Sequence, residues 1–326
     1  DRALSRRDRP SLGNMLIGID IGGTKASALL VDPTTWAIVG RERTTSEGDG
    51  PTLVDNLARM VDGLRERSPT PVRAVGLGIA GLAGRSGTLA WSPNLPGAVG
   101  HPVGPDLERA VGLPVAVGND ATTATLAEAR LGAGRDCDDF AMVTLGTGIG
   151  GGFVLGGLLH RGANGFSGEP GHMVVSADGP VHLTGHRGPW EYYASGNALG
   201  RLGREAASAG TFPAGIQLAG SVEAITGHDV VAARAGDDPG AQAVFTGWCT
   251  EVARGVANLI VLLDLSRVVL GGGLADVGEP LRAGVAAALV GLLPGADARP
   301  VVDVVLAQLG ADAGALGAAL LAVEPD

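Results

Sequence analysis

Twice along the chain an apolar run stops at a glycine turn and a second apolar run follows at once. Met15 to Ile21 passes through Gly22-Gly23 into Ala26 to Val31, and Phe140 to Leu145 passes through a glycine-rich turn into Gly152 to Leu155. Such pairs of runs read as β-hairpins, with glycine supplying backbone conformations that a Cβ would hinder. The repeat constrains the fold more than any other feature. Two hairpins facing one cleft would let both turns hold the same phosphate chain, which a single hairpin could not. Helical spacing predicts a helix over Leu53 to Arg67, with Leu53, Leu57, Met60, Val61 and Leu64 on one face. Strands are expected at Val72 to Ile79, Leu113 to Val117 and Val268 to Leu270. Helices are expected at Ala121 to Leu131 and Trp248 to Leu263, and a last strand–helix pair over Val301 to Val323. This alternation is that of an α/β protein.

A length of 326 residues favours two domains. Hydrophobic residues make up 45% and aromatics only 3%, so the core is built of Ala, Val, Leu and Ile. The net charge of -10 argues against nucleic acid as a partner, since phosphate backbones draw on clustered basic residues. Cys137 and Cys249 form neither a disulfide framework nor a Cys-x-x-Cys motif, which suits a reducing, cytoplasmic setting. Residues 1–14 carry arginines without an apolar stretch behind them, do not read as a signal peptide, and are set aside as an extension or tag. Val256 to Leu274, the longest apolar stretch, is interrupted by Asp264 and Arg267 and is no membrane span.

Of 24 basic residues all but Lys25 are Arg, which marks Lys25 as a site where a compact ammonium is wanted. It closes the run Asp20-Ile21-Gly22-Gly23-Thr24-Lys25. There Gly22 and Gly23 leave amides open to an anion, Thr24 adds a hydroxyl, and Asp20 is placed to hold Mg²⁺ through water. A plain hairpin turn would not require a carboxylate, a hydroxyl and an ammonium together. The second turn, Gly146-Thr147-Gly148, lies in a run that imitates a dinucleotide fingerprint, but Phe153-Val154-Leu155 after it is a strand where the fingerprint needs a helix. Asn119-Asp120 follows a strand and opens a helix. That position serves equally for a helix cap and for a carboxylate accepting a proton from an alcohol during phosphoryl transfer. Glu169, His172 and Glu191 suit sugar hydroxyls, and each also has an ordinary surface role open to it. Gly271-Gly272-Gly273 reads either as a strand-to-helix turn or as a close approach to an adenosine.

Taken in order, Asp20 to Lys25, Asn119-Asp120, Thr144 to Gly152, Arg161 to His172, Trp190 to Asn197 and Val268 to Gly273 resemble the ROK family of bacterial glucokinases, sugar kinases and sugar-responsive repressors. The resemblance runs from about Met15 to Val323. It implies a two-domain, actin-like (ribonuclease H-like) α/β fold with an interdomain cleft closing over sugar and ATP. The small domain would span 15–125, the large one 126–310, and a helix over 311–326 would return to the first. Asp120 would be the general base, with Asn94, Asn119, Glu169, His172 and Glu191 contacting the sugar. Gly22, Gly23, Thr24 and Lys25 with Gly146, Thr147 and Gly148 would meet the phosphates, and Gly271, Gly272 and Gly273 the nucleoside. A homodimer is implied as well.

The family's bacterial kinases resemble Cys-x-Cys-Gly-x-x-Gly-Cys before the Trp-Glu pair, with a structural zinc. Here the stretch is His182-Leu183-Thr184-Gly185-His186-Arg187-Gly188-Pro189, so the thiolates are gone and no zinc is expected. His172, His182 and His186 leave a rebuilt histidine site open. The reading carried forward is phosphorylation of a hexose primary hydroxyl, foremost that of glucose, by Mg-ATP. N-acetyl-hexosamine, mannose or a cyclitol stands as an alternative acceptor and polyphosphate as an alternative donor. A repressor would need a DNA-binding module ahead of Asp20, which only 19 residues precede. A sugar sensor without catalysis is the remaining alternative.

Overall fold

The computed structural model describes residues 14–324, so the extension read over 1–14 lies outside the described residues but for Asn14. The chain divides into two compact units: one runs through Glu128 and takes in Arg161–Ser167 and the stretch from Asp312 onward, and the other is Ala129–His160 with Gly168–Ala311.

The first unit is built on a five-stranded sheet. β1 (Met15–Ile21), β2 (Lys25–Val31) and β3 (Ile38–Thr45) form an antiparallel meander, and β4 (Val72–Ile79) joins β1 in parallel. A short ribbon of β5 (Leu82–Ala83) and β6 (Leu89–Trp91) follows, then β7 (Val115–Asn119), parallel to β4. The order is β3-β2-β1-β4-β7. Helix α1 (Gly50–Glu66) starts where Asp49 accepts the Thr52 amide at 2.9 Å and Pro51 presets the first turn. The face predicted for it, Leu53 to Leu64 at helical spacing, is fully buried. Each such side chain contributes about 1.5–3 kcal/mol of burial. α2 (Val103–Val111) adds Val103, Leu107 and Val111 to the same core, and α3 (Asp120–Leu131) follows β7 directly. The last helix, Ala313–Leu321, lies on β1 and β4. It comes so close that a Cβ at Gly18 would sit 1.8 Å from the Ala315 carbonyl oxygen, and one at Gly76 would sit 1.7 Å from that of Ala318.

The second unit repeats the plan. β8 (Phe140–Leu145), β9 (Ile149–Leu155) and β10 (Leu158–Leu159) run antiparallel, and β11 (Arg267–Gly271) and β12 (Asp303–Leu306) extend the sheet in parallel from β8. The order is β10-β9-β8-β11-β12. Its helices are α4 (Trp190–Ala194), α5 (Gly196–Ser208), α6 (Pro213–Ala219), α7 (Gly227–Ala235), α8 (Pro239–Leu263) and α9 (Glu279–Val290). Four rings, Phe140, Trp190, Phe212 and Trp248, are fully buried. The Trp248 indole keeps its hydrogen bond there, donating at 3.0 Å to the carbonyls of Ala194 and Ser195.

Several elements differ from expectation. β7 lies two residues later than the strand expected over Leu113 to Val117, because its last residue is carried into the start of α3. β9 begins at Ile149 rather than Gly152, since Gly150 and Gly151 pair with Thr144 and Val143 although they add no side chain. α8 begins at Pro239, not Trp248, where Asp238 accepts the Ala241 amide at 2.8 Å. Among the described residues no helix is long and apolar enough to cross a membrane.

Candidate active site

In the first unit the β1–β2 turn is closed by the Gly22 amide donating to the Lys25 carbonyl at 3.0 Å. Its carbonyls are tied down from outside: the Ser46 hydroxyl donates to Gly22 at 2.6 Å, and the Ser46 amide to Thr24 at 3.2 Å. Among the described residues the Gly23 and Thr24 amides take no partner, and Thr24 and Lys25 are exposed. Asn94 abuts the turn, for a Cβ at Gly23 would meet the Asn94 Cβ at 3.1 Å. Ser92 fixes that neighbour, donating to the Ala80 carbonyl at 2.8 Å while accepting from the Asn94 amide at 3.2 Å.

Asp20, one residue before the end of β1, stands beside Asp120 at the first position of α3. Burial pushes the Asp20 carboxyl up to about 7, and the Asp120 charge adds to the push. Burial also raises Asp120, against hydrogen bonds from backbone amides and from Asn119. Asn119 is the actual cap: its Oδ1 accepts the Thr122 amide at 3.0 Å, and its Nδ2 donates to Gly81 at 3.1 Å. Asn119 thus takes the capping bond to the third residue on, while Asp120 Oδ1 accepts the amide of its own neighbour Ala121 at 2.9 Å.

The second unit gathers its own group around Ile149. Glu191 Oε2 accepts the Ile149 amide at 2.7 Å, and it packs against Gly148, where a Cβ would lie 2.2 Å from that oxygen and displace it. Gly146 closes the turn by donating to Gly148 at 3.0 Å, and its carbonyl accepts the Gly196 amide at the start of α5 at 2.7 Å. Thr147 between them is exposed. Gly272, at φ 78°, presses against the end of β8, 2.5 Å from Cβ position to the Leu145 carbonyl oxygen, so Gly271 to Gly273 border the same turn. Gly171 lies equally close to the Ile149 carbonyl and brings in Glu169 and His172, whose side chains approach to 3.8 Å.

The stretch that lacks the expected cysteines is a backbone hairpin. His182 donates its amide to His186 at 2.8 Å, and Gly188 donates to Pro180 at 3.0 Å. His172, His182 and His186 do not assemble: among the described residues no group of three or more His, Cys, Asp or Glu could hold a metal ion. His182 turns to Glu191 at 3.3 Å instead, and His186 Nδ1 reaches the Thr184 carbonyl at 3.1 Å.

Sequence reasoning missed three contributors. Ser46 follows directly on β3, a strand that was itself not read. Gly314 lies over the Asp20 carboxyl, 2.7 Å from Cβ position to Cγ, and a glycine among strong helix formers was its available signal. Arg161, buried, donates to the Val117 carbonyl at 2.6 Å, and nothing in its local spacing announced that.

Two units with matching sheets and glycine hairpins, one bearing a desolvated pair of aspartates, define an α/β protein of the actin-like ATPase class, the fold of the solved structures it superposes on. The chain belongs to the ROK family, which it matches over residues 16–324. It is 38% identical over 317 residues to a glucokinase of Streptomyces coelicolor, covering 96% of this chain and 98% of that one. A glucokinase of Thermotoga maritima is 35% identical over 316 residues, with 95% and 97% covered. The crystal structure of a ROK family glucokinase from Streptomyces griseus in complex with glucose and AMPPNP superposes with a TM-score of 0.83 at 37% identity, over 95% of this chain and 99% of that one.

Proposed function

We propose that the chain is an ATP-dependent glucokinase that moves the γ-phosphoryl group of ATP to the 6-hydroxyl of glucose. The observation that carries this reading is the Asp120 carboxylate, set at the end of a strand and raised by burial while a neighbouring side chain does the capping. A raised carboxylate holds a proton more firmly, which is what a base receiving the hydroxyl proton needs. Asp120 orients the hydroxyl and takes its proton as the oxygen bonds to phosphorus and ADP leaves with the cleaved bond's electron pair. Asn94, Asn119, Glu169, His172 and Glu191 bind the sugar. The turn Gly22 to Thr24 through its Gly23 and Thr24 amides, the Lys25 ammonium and the turn Gly146 to Gly148 bind phosphates, and Gly271 to Gly273 border the nucleoside.

Mg²⁺ fits Asp20, because two desolvated neighbouring carboxylates form an arrangement whose repulsion a divalent cation relieves. When bound, the ion offsets charge on the phosphate chain. The same reading makes the enzyme a zinc-free homodimer of the cytoplasm feeding glycolysis. It divides the chain into a small domain over 15–125, a large one over 126–310, and a returning helix.

ADP release from Mg-ATP, measured against glucose, mannose, N-acetylglucosamine, N-acetylmannosamine and a cyclitol, tests it. Turnover highest with glucose and lost in Asp120→Asn is expected. Turnover with another acceptor alone would replace glucose, and binding without turnover would leave a sensor.

A further inference from the structure

Glu191 has a neighbour at each oxygen. Oε2 accepts the Ile149 amide at 2.7 Å, while Oε1 lies 3.3 Å from Nε2 of His182. A carboxylate oxygen only accepts, so the tautomer that makes this contact a hydrogen bond is the one with the hydrogen on Nε2. The other ring nitrogen, Nδ1, is 3.2 Å from the Thr184 hydroxyl, which donates to it when the ring is neutral. The histidine is 10% exposed and the glutamate 18%, so water competes weakly for either contact. Behind His182 the backbone is pinned: its amide donates to His186 and its carbonyl accepts from Gly185 at 2.9 Å, with Gly185 at φ 82° closing the turn. Its neighbour Leu183 points outward, 79% exposed, so the loop does not sit there to fill a core.

We propose that His182 is a positioning residue for the acceptor sugar, fixing the Glu191 carboxylate through a Thr184–His182–Glu191 relay while the glycine turn holds the other oxygen. Each carboxylate oxygen has two lone-pair directions. One on each is taken within the protein, and the remaining pair faces a diol with its orientation set beforehand. The relay links the acceptor contact to the glycine turn through a single side chain, because Glu191 touches both. The inference rests on the glucokinase reading for its sugar, but the contact itself exists without any ligand.

His182→Ala, His182→Gln and Thr184→Val are to be compared with wild type in steady-state kinetics, thermal melts and amide exchange at Ile149. His182→Ala is expected to raise the KM for glucose about tenfold, with the KM for ATP held within about twofold. His182→Gln, whose amide can donate from nearly the same place, should recover most of the loss, and Thr184→Val should show a smaller shift of the same kind. Exchange at Ile149 should quicken in the alanine variant and not in the glutamine one. A folded His182→Ala with unchanged glucose KM overturns the proposal, as does an equal loss for both substrates in all variants. If wild type turns over no hexose, the glucokinase reading fails on its own. Unchanged exchange at Ile149 would then still reject the relay, and quickened exchange would retain it.

Discussion

Strand for strand, the sheets β3-β2-β1-β4-β7 and β10-β9-β8-β11-β12 follow one path, and each places a glycine turn after its first strand. What they carry differs. The first sheet bears Asp20 within the strand itself, while the second has Thr144 at the equivalent place and draws its carboxylate, Glu191, from a helix. The central pairs differ as well: Gly18 faces Gly76 in the first sheet, and Met142 faces Val269 in the second. The bare pair admits the last helix to backbone contact, whereas Met142 and Val269 put buried side chains at the equivalent place. A shared strand path thus sets where an anion can be met. The residues on it decide whether the charge is built in and desolvated or brought up and hydrogen-bonded.

The largest effect that would break this contrast is expected at Asp120. Asp120→Asn should lower kcat roughly 10³-fold with sugar binding retained, read by ADP release and calorimetry. A loss under tenfold would move the base elsewhere.

Next is the buried charge of Asp20. Its carboxyl, raised from 3.8 to about 7, binds a proton more tightly in the folded chain than in the unfolded one. Stability of the ligand-free protein therefore falls as pH rises from about 4 to about 7, by as much as about 4 kcal/mol. Asp20→Asn should flatten that fall and be the more stable protein at pH 8, as urea melts across the range would show. Parallel curves would refute the assignment.

Gly76→Ala should cost about 3 kcal/mol, because its new methyl meets a helix carbonyl that cannot move without shifting the helix. Gly146→Ala, with nothing within 4 Å of the added carbon, should leave the melting temperature nearly unchanged. Similar shifts for the two would mean that the glycine pair is not what admits the helix.

The smallest effect belongs to Arg41 and Asp312, paired at 2.5 Å with the arginine 54% exposed. Arg41→Ala should cost below about 1 kcal/mol and less in high salt.

The hairpins and the helix face of α1 were legible because periodicity and glycine placement are local. β3 was not, since Arg41, Glu42 and Arg43 make it read as polar chain. It is an edge strand whose exposed positions alternate strictly with covered ones. Helices α5 to α7 were passed over because small residues such as Gly200 and Gly203, which weaken a helical reading, are there for close contact with Thr226, Gly227 and Val230. In the site, strand ends marked Asp20 and Asp120 as candidates, with a helix cap equally open to Asp120 until the family resemblance assigned it a role. The Ile149–Glu191–His182 contacts join residues whose meeting no spacing rule encodes.

The helix that covers Gly18 and Gly76 follows the whole of the second unit in the chain. On a translating ribosome the first sheet must therefore wait, one face bare, while the second unit is made and can already close on its own core. Maturation would then run inward-out. The inserted half folds first, the outer half is sealed only when its late-arriving helix docks, and a stall between the two would hold an open sheet for a chaperone or a neighbouring chain to find.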